Sequence, residues 1–152
     1  MSMDVEEQYE KIYRYCYFRL HRRELAEDIT QETFLRFYAQ DHYQETGKAL
    51  RYLYTIARNL CIDTYKKQPE EPLPEEMEQP DNTETLLTDL ALRAALQQLD
   101  TEQQELLLLR YVNEVPMADI GVMLGISRFA VYRKTNRALK QLRTLLREED
   151  FV

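Results

Sequence analysis

The sequence predicts an all-α fold of two small helical domains joined by an acidic, proline-containing linker, the second domain ending in a helix-turn-helix. Three observations carry this. Apolar residues recur three and four apart along most of the chain. With only three glycines and no tryptophan in 152 residues, there are too few turn signals for many short strands. Four of the five prolines lie in KKQPEEPLPEEMEQPDNTE, where acids are dense and apolar residues sparse, a composition that favours an extended tether over a packed core. The boundaries follow as 1–67, 68–82 and 83–152.

The first helix spans the stretch from Val5 to Leu20. Tyr9, Ile12, Tyr13, Cys16, Tyr17 and Leu20 form an aromatic seam that faces the interior, so its tyrosines are packing residues rather than a platform for stacked bases. In the second helix, LAEDITQETFLRFYAQ, the inward stripe is Leu25, Ile29, Thr33 and Phe37. Asp28, Gln31, Glu32 and Leu35 line up on another face. Acids, an amide and an apolar residue together suit docking against a basic partner helix, and the same residues also suit a plain solvated face.

The pattern breaks across DHYQETGK, a polar loop with one aromatic, Tyr43. The third helix, ALRYLYTIARNLCIDTYKK, turns Leu53, Ile56, Ala57, Leu60 and Thr64 inward and leaves Arg51, Arg58, Asn59, Lys66 and Lys67 at other positions. A loop aromatic beside a helix bearing Arg and Asn is one way to hold unstacked bases and their backbone.

The C-terminal domain begins near Thr83, a cap for a helix carrying Leu86, Leu87, Leu90, Ala91 and Ala94. Asp100 caps the next helix, with Gln103 as its capping-box partner, and the LLLL run that follows is core. Residues 116–147, PMADIGVMLGISRFAVYRKTNRALKQLRTLLR, read as two helices about Gly125. Met117, Ile120, Met123 and Leu124 mark the first; Pro116 and Asp119 suit its start. Gly125 supplies the left-handed corner and Ser127 caps the second helix, whose apolar face is Val131, Ala138, Leu142 and Leu145. This is helix-turn-helix geometry.

Charge distinguishes that last helix. Across residues 127–147 there are seven bases and no acid, whereas solvated surface helices usually interleave the two. Tyr132, Arg133, Asn136 and Arg137 provide cations for phosphates and planar groups for base edges. The net charge of −7 does not contradict this. Residues 69–90 alone hold eight acids and no base, while 1–68 balance 11 against 11 and 91–152 hold nine bases and eight acids.

Cys16 and Cys61 form no CxxC pair, and only His21 and His42 add soft ligands, so neither a zinc site nor any other metal or cofactor is expected. Two thiols and no secretory signal fit a reducing cytosol, with both cysteines packed as small apolar side chains. No apolar run approaches the roughly 18 residues of a membrane span. Nothing supports catalysis: there is no glycine-rich phosphate loop and no recognisable nucleophile arrangement.

Taken together, these residues resemble an extracytoplasmic-function (ECF) sigma factor of bacterial RNA polymerase. AEDITQETFLRFY and LRYLYTIARNLCIDTYKK are similar to the family's second sigma domain, and LQQLDTEQQELLLLRYVNEVPMADIGVMLGISRFAVYRKTNRALKQLR to its fourth. The resemblance implies that Asp28, Gln31, Glu32 and Leu35 bind core RNA polymerase. It implies that Tyr43 lies in the loop that receives a flipped promoter base, that Asn59 reads the −10 element, and that Arg58, Lys66 and Lys67 lie near the DNA backbone. Arg128, Tyr132, Arg133, Asn136 and Arg137 would face the −35 element. A cytoplasmic protein controlled by an anti-sigma factor and without membrane insertion of its own is also implied. Four positions depart from the pattern: Phe129 and Ala130 where a Gly-Thr pair is frequent, Gly121 for a common alanine, and Tyr52 for a frequent tryptophan. A stand-alone helix-turn-helix regulator is the alternative reading, and the N-terminal module separates the two, since a dimeric repressor has no need of it.

Overall fold

The computed structural model describes residues 4–39, 48–67 and 91–150, with only the backbone of Lys67 and of residues 148–150. Among them there is no strand. The chain divides into two compact units, Met1–Glu75 and Glu76–Val152. The linker and the Thr83 cap expected from the sequence lie outside the described residues.

The first unit packs α1 (Val5–Leu20), α2 (Arg23–Tyr38) and α3 (Ala49–Lys67), each against the other two. Its core is Ile12, Tyr15 and Cys16 from α1, Ala26, Ile29, Phe34 and Phe37 from α2, and Leu53, Tyr54, Ala57 and Cys61 from α3. The expected α1 seam is thus turned by part of a helical step. Tyr15, not Tyr13 or Tyr17, is fully buried, its ring edge-on to Tyr54 at 5.8 Å between centroids. Its hydroxyl accepts a 2.8 Å hydrogen bond from Arg19, so this buried phenol keeps a polar partner. Tyr13 and Tyr17 are half-buried at the edge of the seam, and partial burial together with Glu27 raises the Tyr13 pKa above 10.0. α3 is turned similarly. Tyr54 and Cys61 face inward, while Ile56, Leu60 and Thr64 are half-buried.

α2 buries Thr30 and Thr33 in that core without leaving a hydroxyl unpaired. Each donates at 2.7 Å to the carbonyl four residues back, Ala26 and Ile29 respectively. This is the local bond that makes a buried threonine tolerable in a helix. α1 closes at His21, which adopts φ 60° and donates its N–H to the Tyr17 carbonyl.

In the second unit, residues 91–97 are helical (α4), followed by α5 (Thr101–Leu107), a wide π-helical turn (Leu108–Val112), α6 (Met117–Leu124) and α7 (Arg128–Asp150). The capping box is formed as expected: Gln103 N–H donates to Asp100 Oδ1 at 2.7 Å, and Asp100 N–H to Gln103 Oε1 at 3.2 Å. The four leucines 106–109 are all buried. Four successive residues cover about 300° of an α-helix, so all can be buried only if neighbours surround it. Ala95 and Leu99, together with Ala138 and Leu142, pack with Leu107 on one side. Full burial of each such leucine contributes about 1.5–3 kcal/mol. The chain leaves this element through the widened turn, in which Asn113 N–H bonds the carbonyl five residues back, Leu108, at 3.0 Å. Nothing in the residue pattern signalled that loosening.

Candidate nucleic-acid interface

The corner that aims α7 is built from three local features. Pro116 stands at the cap of α6 in an extended conformation, Gly125 ends the helix at φ 71° and ψ 31°, and Ser127 Oγ accepts the Ala130 N–H at 3.0 Å to start α7. The left-handed corner is one a glycine enters without strain. Ile120 and Met123 of α6 and Val131 of α7 are buried at the junction.

Once Val131, Thr135, Ala138 and Leu142 face inward, the opposite face of α7 follows at 100° per residue. It carries Phe129, Tyr132, Arg133, Asn136, Arg137, Lys140 and Arg143, every one exposed. Tyr132, Arg133, Asn136 and Arg137 lie on it as expected, and Arg128, also exposed, stands beside it on the first turn. The stripe runs for nearly four turns and contains only aromatic, amide and cationic groups. Lys140 and Arg143, two of the seven bases, and the uncharged Phe129 join those expected −35 residues on the same face, at positions that helical spacing also reaches. Lys134 lies off the stripe. Its ammonium is 3.0 Å from a carboxylate oxygen of Glu102 on α5, and Gln103 on that helix donates to Gln141 at 3.0 Å, so part of α7's polar surface braces the module.

In the first unit, the expected docking stripe of α2 is outward. Asp28 and Gln31 are exposed, Leu35 is 67 % exposed, and Glu32 is half-exposed with its carboxylate 2.8 Å from Arg36 Nε. These residues span two helical turns opposite Ala26, Thr30, Thr33 and Phe37, so packing within the module does not require them. On α3, Tyr52, Asn59 and Lys66 recur every seven residues along one exposed face. Tyr52 also rests edge-on against Phe37, centroids 5.8 Å apart. Arg58 is half-buried one helical step away from Asn59. Lys67 ends α3, and Tyr43 lies outside the described residues.

Cys16 and Cys61, 45 positions apart in the chain, meet in the core of the first unit. A hydrogen bond from the Cys61 thiol, aided by Thr30 and Arg19, holds the Cys16 pKa below 9.0 against the opposing effect of burial. Neither is accessible. Among the described residues, no group of three or more His, Cys, Asp and Glu is placed to hold a metal ion, and no helix is long and apolar enough to cross a membrane.

A helical module with an outward acidic and apolar stripe, and a second module ending in a basic helix-turn-helix, define a DNA-binding protein of the transcription machinery. The sigma-70 region 2 family model matches residues 5–70, and that for sigma-70 region 4 matches residues 89–142. The chain is 31 % identical to the ECF RNA polymerase sigma factor SigW of Bacillus subtilis, over 91 % of this chain and 84 % of that protein. Against BldN of Streptomyces coelicolor, another ECF sigma factor, identity is also 31 %, over 91 % of this chain and 57 % of that one. The sigma factor RpoE of Bartonella quintana, solved with its anti-sigma factor NepR, shares the fold at a TM-score of 0.76 and 20 % identity, with 94 % of each chain covered. The chain belongs to the ECF RNA polymerase sigma factor family and is an alternative sigma factor, directing transcription initiation. The match of residues 5–70 to region 2 leaves the stand-alone regulator without support.

Proposed function

We propose that this sigma factor works through two faces on separate modules. In residues 1–67, Asp28, Gln31, Glu32 and Leu35 dock onto core polymerase, and Asn59, with Tyr43, Arg58, Lys66 and Lys67, takes the opened −10 element. In residues 83–152, Arg128, Tyr132, Arg133, Asn136 and Arg137 read the −35 element from the major groove. Residues 68–82 tether the two. Fully extended at about 3.3 Å per residue, they reach on the order of 50 Å, roughly one and a half turns of DNA at about 34 Å per turn.

The observation that carries this reading is the exposure of two chemically opposite faces, neither consumed by packing: the acidic and apolar stripe of α2 and the acid-free basic stripe of α7. A basic helix suits phosphates and base edges; an acidic stripe around an exposed leucine suits a basic protein helix. The protein supplies no catalytic chemistry of its own, bond formation belonging to polymerase, and it acts in the cytoplasm. An anti-sigma factor that covers these same faces is the regulator such an arrangement admits.

The test is transcription from a genomic fragment library by cognate core polymerase, with and without this protein, followed by sequencing of the 5′ ends. Discrete new starts sharing two upstream elements are expected. Stable core binding without new starts would instead make the chain a polymerase-binding protein that opens no promoter.

A further inference from the structure

Phe129 is the most exposed large apolar side chain among the described residues, at 79 %. It is the second residue of α7, two after the Ser127 cap, at the end of a recognition helix that meets base edges. Its direction follows from the helix. Taking 100° per residue, Tyr132, Arg133, Asn136 and Arg137 all fall within about 80° of it, whereas buried Val131, Thr135, Ala138 and Leu142 fall about 180–240° away. Around the helix axis Phe129 therefore lies near the middle of the basic face, at its N-terminal end, with Tyr132 and Arg133 one turn further on.

A single exposed apolar residue is ordinary on a protein surface. One on a face whose other members are cations, an amide and a tyrosine is a different matter, because a partner covering that face must offer an apolar group among anions. In the major groove the thymine C5-methyl is that group, bordered by base acceptors and phosphates. An apolar pocket on a protein partner would have to bury the neighbouring arginines as well.

Resting on the −35 reading above, we propose that Phe129 is a specificity-determining residue that packs on the C5-methyl of a thymine in the −35 element. The arginines supply position and affinity; Phe129 supplies preference for thymine at one step of the site.

The test uses holoenzyme assembled from the full chain and cognate core polymerase, on a promoter found by start-site mapping. Each −35 thymine is replaced singly by deoxyuridine, which removes only the methyl. With the natural chain, one or two positions should lose about four-fold in promoter binding, the equivalent of one buried methyl or methylene. Phe129→Ala should bind the thymine promoter about ten-fold more weakly and lose that sensitivity, while Phe129→Leu should keep part of it. Scrambling the −35 element and Arg137→Ala are the controls for the underlying reading. If both weaken binding yet deoxyuridine is neutral, or Phe129→Ala remains as sensitive as the natural chain, the proposal is overturned and −35 recognition stands. An unchanged promoter response with lost binding to a protein partner overturns it equally. If scrambling has no effect, the −35 reading itself fails, and this proposal with it.

Discussion

Gly121 and Ile126 close the helix-turn-helix corner upon each other. The Ile126 N–H donates to the Gly121 carbonyl at 3.0 Å, and the Ile126 carbonyl oxygen lies 2.8 Å from where a Cβ on Gly121 would stand. A glycine inside a helix costs about 1 kcal/mol relative to alanine, so on propensity alone alanine would stabilise α6. The corner reverses that expectation, because the obstructing atom is backbone and overpacking typically costs about 1–3 kcal/mol. Gly121→Ala should lower the stability of the C-terminal module by about 1 kcal/mol, read as a lower urea midpoint with an unchanged slope. A higher midpoint would show that the turn relaxes freely.

Lys134 and Arg137 should separate in their effects on DNA binding despite sharing a helix. Arg137 is exposed on the basic stripe, and its replacement by alanine should weaken −35 recognition by about 1–3 kcal/mol if it meets a base edge. Loss spread evenly over all sequences would place it on phosphate instead. The Lys134 ammonium is engaged by Glu102 at 3.0 Å, with the two side chains 35 % and 49 % exposed. Lys134→Ala should therefore leave the salt dependence of binding nearly unchanged, and solvent screening limits the stability loss to about 0.2–1 kcal/mol. A fall of about one unit in the log–log salt slope would mean that Lys134 contacts phosphate after all.

Glu114 is exposed and held at φ 54°, a left-handed conformation that disfavours any side chain with a Cβ by roughly 1–2 kcal/mol. Glycine there relieves the strain but adds freedom to the unfolded chain. Glu114→Gly should be net stabilising by about 0.5–1 kcal/mol in thermal or chemical unfolding. Destabilisation would reveal that the glutamate side chain anchors the loop.

Cys16 and Cys61 have no exposed surface, so a depressed Cys16 pKa does not make it reactive toward a bulky reagent in the folded state. Both thiols should resist an aromatic disulfide reagent in native buffer and then react together when the first module opens. Selective labelling of Cys16 while the module remains folded would contradict the packing.

The elements most legible in the sequence were those governed by local chemistry. The Asp100–Gln103 box, the Gly125 corner and the Ser127 cap each depend on one or two side chains acting on backbone close by, and all three are present. The phase of α1 was less legible. Nine aromatic and apolar residues spread around more than half of that helix, so spacing does not choose among Tyr13, Tyr15 and Tyr17; in the fold it is Tyr15 that packs on Tyr54. The wide turn after Leu107 was not legible, because Leu108–Val112 contains no glycine, proline or other turn residue to mark it. At the candidate site, charge marked the basic stripe, while Phe129 at its tip carries no charge and is placed there by helical spacing alone, its 79 % exposure showing only in the folded helix.

Leu35 offers the sharpest test of the α2 face. At 67 % exposure its removal leaves no core cavity, so Leu35→Ala should alter stability by no more than about 0.5 kcal/mol. If it is the apolar centre of the polymerase contact, the same change should weaken core binding by about 1–2 kcal/mol, since it deletes most of one buried side chain. Leu35→Asp should weaken binding further, by placing an acid at the centre of the contact without a guaranteed partner. Arg36→Ala is the contrasting variant. It releases the Glu32 carboxylate, now 2.8 Å from Arg36 Nε, for a cation on the partner, and it should leave core affinity unchanged or improved. Titration of labelled sigma factor with core polymerase measures all three. Undiminished affinity for Leu35→Asp would remove α2 from the docking surface, whatever the behaviour of the −35 face.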